Sequence, residues 1–131
     1  MKRLAVLLGF MMLMTTPAMA ISEFGKQWKN EYLGGDDVDD DFKKIGRKAG
    51  CYVCHVKGED KKKVRNEYGK AVQKYLKADD FPKDYVKANP EEAKKKILEG
   101  FKKAGDQESK DGKKFAEKIK ANELPATDAG L

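Results

Sequence analysis

The chain has 131 residues, with 28 Lys+Arg against 22 Asp+Glu, 38% charged residues and a mean hydropathy of −0.78. That length and polarity allow one thin core and exclude a multidomain enzyme or a transporter. Disulfides, a metal or a prosthetic group are the expected staples, so the two Cys, one His and five Met are the residues to follow.

Met1-Lys2-Arg3 is a short basic start, Leu4 to Met14 is an apolar run, and Thr15 to Ala20 ends in A-x-A. This is the layout of a secretory leader cleaved after Ala20. The apolar run is too short for a membrane anchor, which needs about 20 residues. Removing the 20 leader residues leaves a domain of 111 residues, 21–131, and lowers the net charge from +6 to +4 because Lys2 and Arg3 are lost. A soluble, exported product is expected, in the periplasm or an equivalent compartment.

In the remaining chain, Phe24, Trp28 and Tyr32 recur at helical spacing in 22–33, before a Gly34–Gly35 break. A second helix is predicted to open at Asp36 or Asp37 and to carry Val38, Phe42, Ile45 and Ala49 on one stripe. It runs into Cys51-Tyr52-Val53-Cys54-His55. A third helix is predicted over Lys63 to Lys77, with Val64, Tyr68, Ala71, Val72 and Tyr75 on one face. Residues 79–89 read as a loop around Pro82. Pro90 at the first helical position, followed by Glu91 and Glu92, starts a fourth helix to Ala104 with Ala93, Ile97, Gly100, Phe101 and Ala104 inward. A fifth is predicted over Asp111 to Asn122 with Phe115 and Ile119 inward, and order is expected to end at Leu124–Pro125. No segment alternates with period two, so the fold class is all-α, with four to five helices.

Cys51-x-x-Cys54-His55 has the spacing of a c-type haem attachment site. Two thiols tether the porphyrin edge by adding to its vinyl groups, and the adjacent His55 is placed to bind the iron from the proximal side. A thioredoxin-like redox pair would follow a strand in a βαβ unit, which is missing here. A structural zinc site normally needs four N or S ligands, and this chain has three. A plain disulfide over so short a loop stabilises little.

With these residues in place, the chain resembles the class I-type monohaem cytochromes c. The segments CYVCHVKG (51–58), VRNEYGKA (64–71) and KKFAEKIKANELP (113–125) are similar to small monohaem cytochromes of planctomycete and anammox bacteria. The resemblance spans residues 36–125, and CYVCH is its specific element. It implies a small fold of four to five helices around one covalently bound haem c, and for some members a second cytochrome c subunit in a heterodimer.

Met is the distal ligand expected from that class, yet Met1, Met11, Met12, Met14 and Met19 all lie in the leader. His55 is the only His and both Cys are tethers. Lys amine, Tyr phenolate, the α-amine of Ile21, water or an open site remain. The 24 lysines of residues 21–131 make Lys the most available strong donor, provided that burial near the iron favours the neutral amine. The position of distal ligands in the class points to Lys102, Lys103 and Lys110. Lys102 projects away from the apolar stripe of its helix and Lys103 flanks it. Lys103 is therefore the first choice, with Lys110, Lys83 and Lys87 behind. Tyr68, Tyr75 and Phe101 are expected to pack around the haem, and Trp28 in the core.

The function expected is one-electron transfer at low potential, as a carrier or a redox subunit, because Met ligation raises the potential and is absent. Lys57, Lys61, Lys62, Lys63 and Arg65 beside the motif suit an acidic redox partner, or merely a solvated face. The alternative is a module that binds NO or CO at a weakly ligated iron. No catalytic residue is expected, because no spare His remains for acid–base work. Nucleic acid is not an expected partner.

Overall fold

The computed structural model describes residues 18–61 and 63–131, with side chains described from Ser22 onward; residues 1–17 of the expected leader and Lys62 lie outside them. The described part is all-α, with six α-helices and no strand among the described residues. These are α1 (Ala18–Leu33), α2 (Asp40–Ala49), α3 (Glu67–Tyr75), α4 (Lys83–Ala88), α5 (Pro90–Gly105) and α6 (Phe115–Lys120). Short 3-10 turns occupy Gly50–Val53 and Ala78–Asp80. Among the described residues, no helix is long and apolar enough to cross a membrane.

Helix α5 is the central element and packs against α1, α3, α4 and α6, while α2 packs against α1. Its inward residues Ala93, Ile97, Gly100, Phe101 and Ala104 are buried as their spacing predicts, and Gly100 lets the Leu76 side chain lie directly on the helix backbone. One continuous core results, joining Trp28, Leu33, Phe42, Tyr68, Phe101 and Phe115. Within it the Trp28 indole donates to the Tyr68 hydroxyl at 3.0 Å, so both polar tips are satisfied. Tyr68 also meets Phe115 edge-on, with ring centroids 5.2 Å apart.

Several boundaries differ from those predicted. Helix α2 opens at Asp40, not at Asp36 or Asp37, because the Asp39 carboxylate accepts from the Asp41 and Phe42 amides at 3.0 Å. Ile45 is 50% exposed, and Gly46 takes the inward place with Leu33 packed over it. A side chain at 46 would collide with Leu33, so the seam turns away from Ile45. Helix α3 opens four residues later than expected, capped by Asn66, and Tyr75 at its end is exposed. The loop predicted around Pro82 contains the Ala78–Asp80 turn and α4, since Pro82 precedes α4 with its φ already suited to a helix start. The last helix is shorter than predicted, as residues 107–114 form a turn closed by Ser109 N–H to Lys113 O at 2.8 Å.

The end of the chain is ordered, contrary to expectation. Pro125 is fully buried, Ala129 is buried, and the Lys57 amide donates to the Ala129 carbonyl at 2.8 Å. Glu67 fastens this segment by accepting from Thr127 N–H and Oγ1, from Ser109 Oγ and from Lys110 N–H. In return Asp128 accepts from the Glu67 amide at 2.8 Å. Composition reads these residues as a polar tail, but Asp128 satisfies the first amide of α3 and Thr127 donates to the Glu67 carboxylate.

Candidate functional site

The Cys51–His55 motif sits in the 3-10 turn after α2, where Gly50 takes a left-handed φ of 53° and redirects the chain out of the helix. The turn is closed by Cys54 N–H and His55 N–H, both donating to the Cys51 carbonyl, at 3.2 and 3.1 Å. Asn66 holds the same turn from the opposite side. Fully buried, its Nδ2 donates to the carbonyls of Tyr52, Val53 and His55 at 3.0, 2.9 and 3.3 Å. Its backbone N–H donates to Cys54 O at 3.0 Å, and its Oδ1 caps α3 through Gly69 N–H at 2.8 Å. One side chain therefore locks the motif to the start of α3.

The helix approaches closely enough that only glycine fits at 69, since an added Cβ would run into the Cys54 carbonyl. The strand-like segment 64–66 pairs back on the motif through a bridge between His55 and Arg65. Against this frame the buried His55 ring sets Nδ1 at 3.1 Å from the Val64 carbonyl. A carbonyl only accepts, so Nδ1 carries a proton, and the nitrogen with a lone pair to give to a metal is Nε2.

Cys51 and Cys54 are free thiols, Cys51 exposed and Cys54 half-buried. Burial pushes the Cys54 thiol up to about 12; the nearby Arg65 charge opposes this and Cys51 adds to it. Cys54 and His55 line two adjoining cavities. The larger, about 360 Å³, runs from Arg65 along Gly69, Val72, Gln73 and Leu76 to Lys77. The smaller, about 60 Å³, is bounded by Gly25, Trp28, Lys29, Cys51 and Phe101, and Phe24 borders both. Among the described residues, no three His, Cys, Asp or Glu side chains converge on a point an ion could occupy.

The residues fit the group that the motif implies. Both thiols border the small apolar cavity, and Cys54 and His55 also border the larger one of mixed lining. The imidazole has Nδ1 engaged by backbone, which leaves Nε2 as the nitrogen for a metal. Cys51, Cys54 and His55 are thus brought together. Of the aromatics expected around the haem, Phe101 borders the small motif cavity, Tyr68 lies in the core and Tyr75 is exposed. Trp28 is buried in the core as expected and also borders that cavity.

The lysines expected near the iron lie on other surfaces. Lys103 borders a separate cavity of about 460 Å³ with Tyr75, Phe81 and Lys96, and Leu76 lines both that cavity and the His55 cavity. Lys110 pairs with Asp128 at 3.4 Å. Lys83 and Lys87 border a pocket beside Glu23 and Pro90. Lys102 borders a cavity of about 630 Å³ between α1, α5 and α6, which no residue of the motif lines. Spacing along the sequence does not identify Lys29 and Lys77, the lysines that do border the motif cavities. Asn66 had a usable signal, a cap residue directly before Glu67 and an apolar helical face.

Comparison of the chain with protein-family models, with curated proteins and with solved structures gives no match.

Proposed function

We propose that residues 21–131 form an exported monohaem c-type cytochrome of the class I kind, which transfers single electrons and follows a leader in residues 1–20. Cys51 and Cys54 are the covalent tethers of one haem c and His55 is the proximal iron ligand. The observation that carries this reading is the Nδ1–H to Val64 O bond of His55, in a turn clamped by Asn66. It sets the tautomer and the ring orientation of a metal-binding imidazole, the role a backbone carbonyl commonly plays behind a ligating His.

The bound haem supplies one-electron chemistry at its iron. The chain's own residues do the rest. Asn66 and Gly69 hold the motif at a fixed distance from α3. Val72, Leu76 and Phe24 supply the apolar part of the lining beside His55. Cys51 remains exposed at the surface, with exposed Lys57, Lys61 and Lys63 in the following loop. Such an edge suits an acidic redox partner, including a second cytochrome c subunit, through steering of encounter by charge.

The test is production with a haem-attachment system in an oxidising compartment. One haem per chain, resistant to acidic acetone and giving a c-type pyridine haemochrome, is the expected result. Extractable haem, or none, overturns the proposal.

A further inference from the structure

We propose that Lys77 is the sixth ligand of the iron, an assignment that rests on the haem reading above. Residues 21–131 contain no Met and one His, and both Cys are tethers in that reading. The ligand from within the chain must therefore be an amine or an oxygen donor. Among the residues that border the larger His55 cavity, the side chains with a usable lone pair are Gln73, Lys77 and Asp79; Arg65 is always protonated. Of these the neutral amine is the strong-field donor, whereas an amide or carboxylate oxygen leaves ferric iron high-spin.

The backbone suits the role. Leu76 and Ala78 pack on the core on either side of Lys77, and Leu76 N–H to Val72 O at 2.8 Å and Asp80 N–H to Lys77 O at 3.1 Å hold both flanks. The Lys77 backbone is extended, with φ −104° and ψ 132°. Its Cα is thus fixed at the cavity wall while the four-carbon stem is exposed and free to turn. Among the described residues its ammonium joins no salt bridge, so moving it inward breaks none. Lys29, the other lysine at the motif, borders only the small cavity on the Cys51 side.

The experiment uses the whole haem-loaded protein and reads spin state by optical and electron paramagnetic resonance spectra. The ferric wild type should be low-spin. Lys77→Ala should become high-spin at unchanged haem content, whereas Lys29→Ala and Lys103→Ala stay low-spin. Lys77→Met should gain a near-infrared sulfur-to-iron band that the wild type lacks; this gain decides the matter even where Lys77→Ala folds poorly. A high-spin wild type, a low-spin Lys77→Ala, or a Lys77→Met without the band overturns the assignment. Those outcomes at full covalent haem remove Lys77 alone, while absence of covalent haem from the wild type removes the cytochrome reading itself.

Discussion

Replacing Asn66 tests whether the motif is held by this single side chain. Asn66→Ala removes the cap bond to Gly69 N–H, worth about 1 kcal/mol for a typical N-cap. It also removes two amide donors that serve the carbonyls of Tyr52, Val53 and His55. Leaving two of those buried acceptors unpaired costs about 1–2 kcal/mol each. The total is about 3–5 kcal/mol, a large share of the about 5–15 kcal/mol expected of a domain. For a domain of this size the melting temperature should fall by at least about 12 °C, measured by far-ultraviolet circular dichroism. Asn66→Asp separates the two contributions, because a carboxylate still caps Gly69 N–H but only accepts, and faces three carbonyl oxygens. It should be at least as damaging as Asn66→Ala. If Asn66→Asp melts like wild type, or Asn66→Ala costs less than about 1 kcal/mol, the cap alone matters and the clamp on the motif is refuted.

Three further outcomes are expected. Gly69→Ala drives a Cβ into the Cys54 carbonyl and should cost about 1–3 kcal/mol in urea denaturation, since backbone on both sides must shift. Trp28→Phe and Tyr68→Phe each strand a buried polar group and should cost about 1–3 kcal/mol, while the double variant should cost less than their sum. For Glu67, burial alone would raise the carboxyl's pKa, but hydrogen bonds from Ser109, Thr127 and Lys110 outweigh it and hold the group below its usual value. Its stabilisation is therefore full above the unfolded value of about 4.3 and is lost as pH falls through the lower folded value. The stability gap between wild type and Glu67→Gln should accordingly shrink as pH drops below about 4, and a gap constant from pH 7 to pH 3 would contradict this.

Local rules recover the parts of this fold that depend on local patterns. Helix α5 follows from Pro90, the acidic first turn and the Ala93–Ile97–Phe101 stripe, and differs from the prediction by one residue at its end. The C-x-x-C-H motif marks the candidate site outright because its residues are contiguous. What stayed hidden depends on contacts between distant segments. Gly46 faces inward because Leu33 lies over it, so a periodicity that treats Ile45 as the buried position fails there. The final segment looks like a polar tail until Glu67, some sixty residues earlier, takes up Thr127. Lys103 flanks an apolar stripe as expected, and of that stripe Gly100 meets Leu76 and Phe101 borders the motif cavity, while Lys103 itself borders the neighbouring cavity with Tyr75 and Leu76.

The two sides of the His55 cavity are built in different ways, and this bears on how the site tolerates change. On the His55 side every polar atom that orients the ring is tied to backbone: Nδ1 to Val64, the turn to Cys51, and Asn66 to three carbonyls. None of these bonds needs a cofactor, so the imidazole is oriented by the polypeptide alone. On the far side, Lys77 has a pinned backbone and an exposed stem. Truncating an exposed side chain costs little, within about 0.5 kcal/mol for an ordinary surface position. Lys77→Ala should therefore leave the melting of the cofactor-free chain nearly unchanged while Asn66→Ala lowers it steeply. Equal losses in the two variants would mean that the Lys77 stem packs in the fold, and the division between a rigid His55 side and an adaptable opposite side would be wrong.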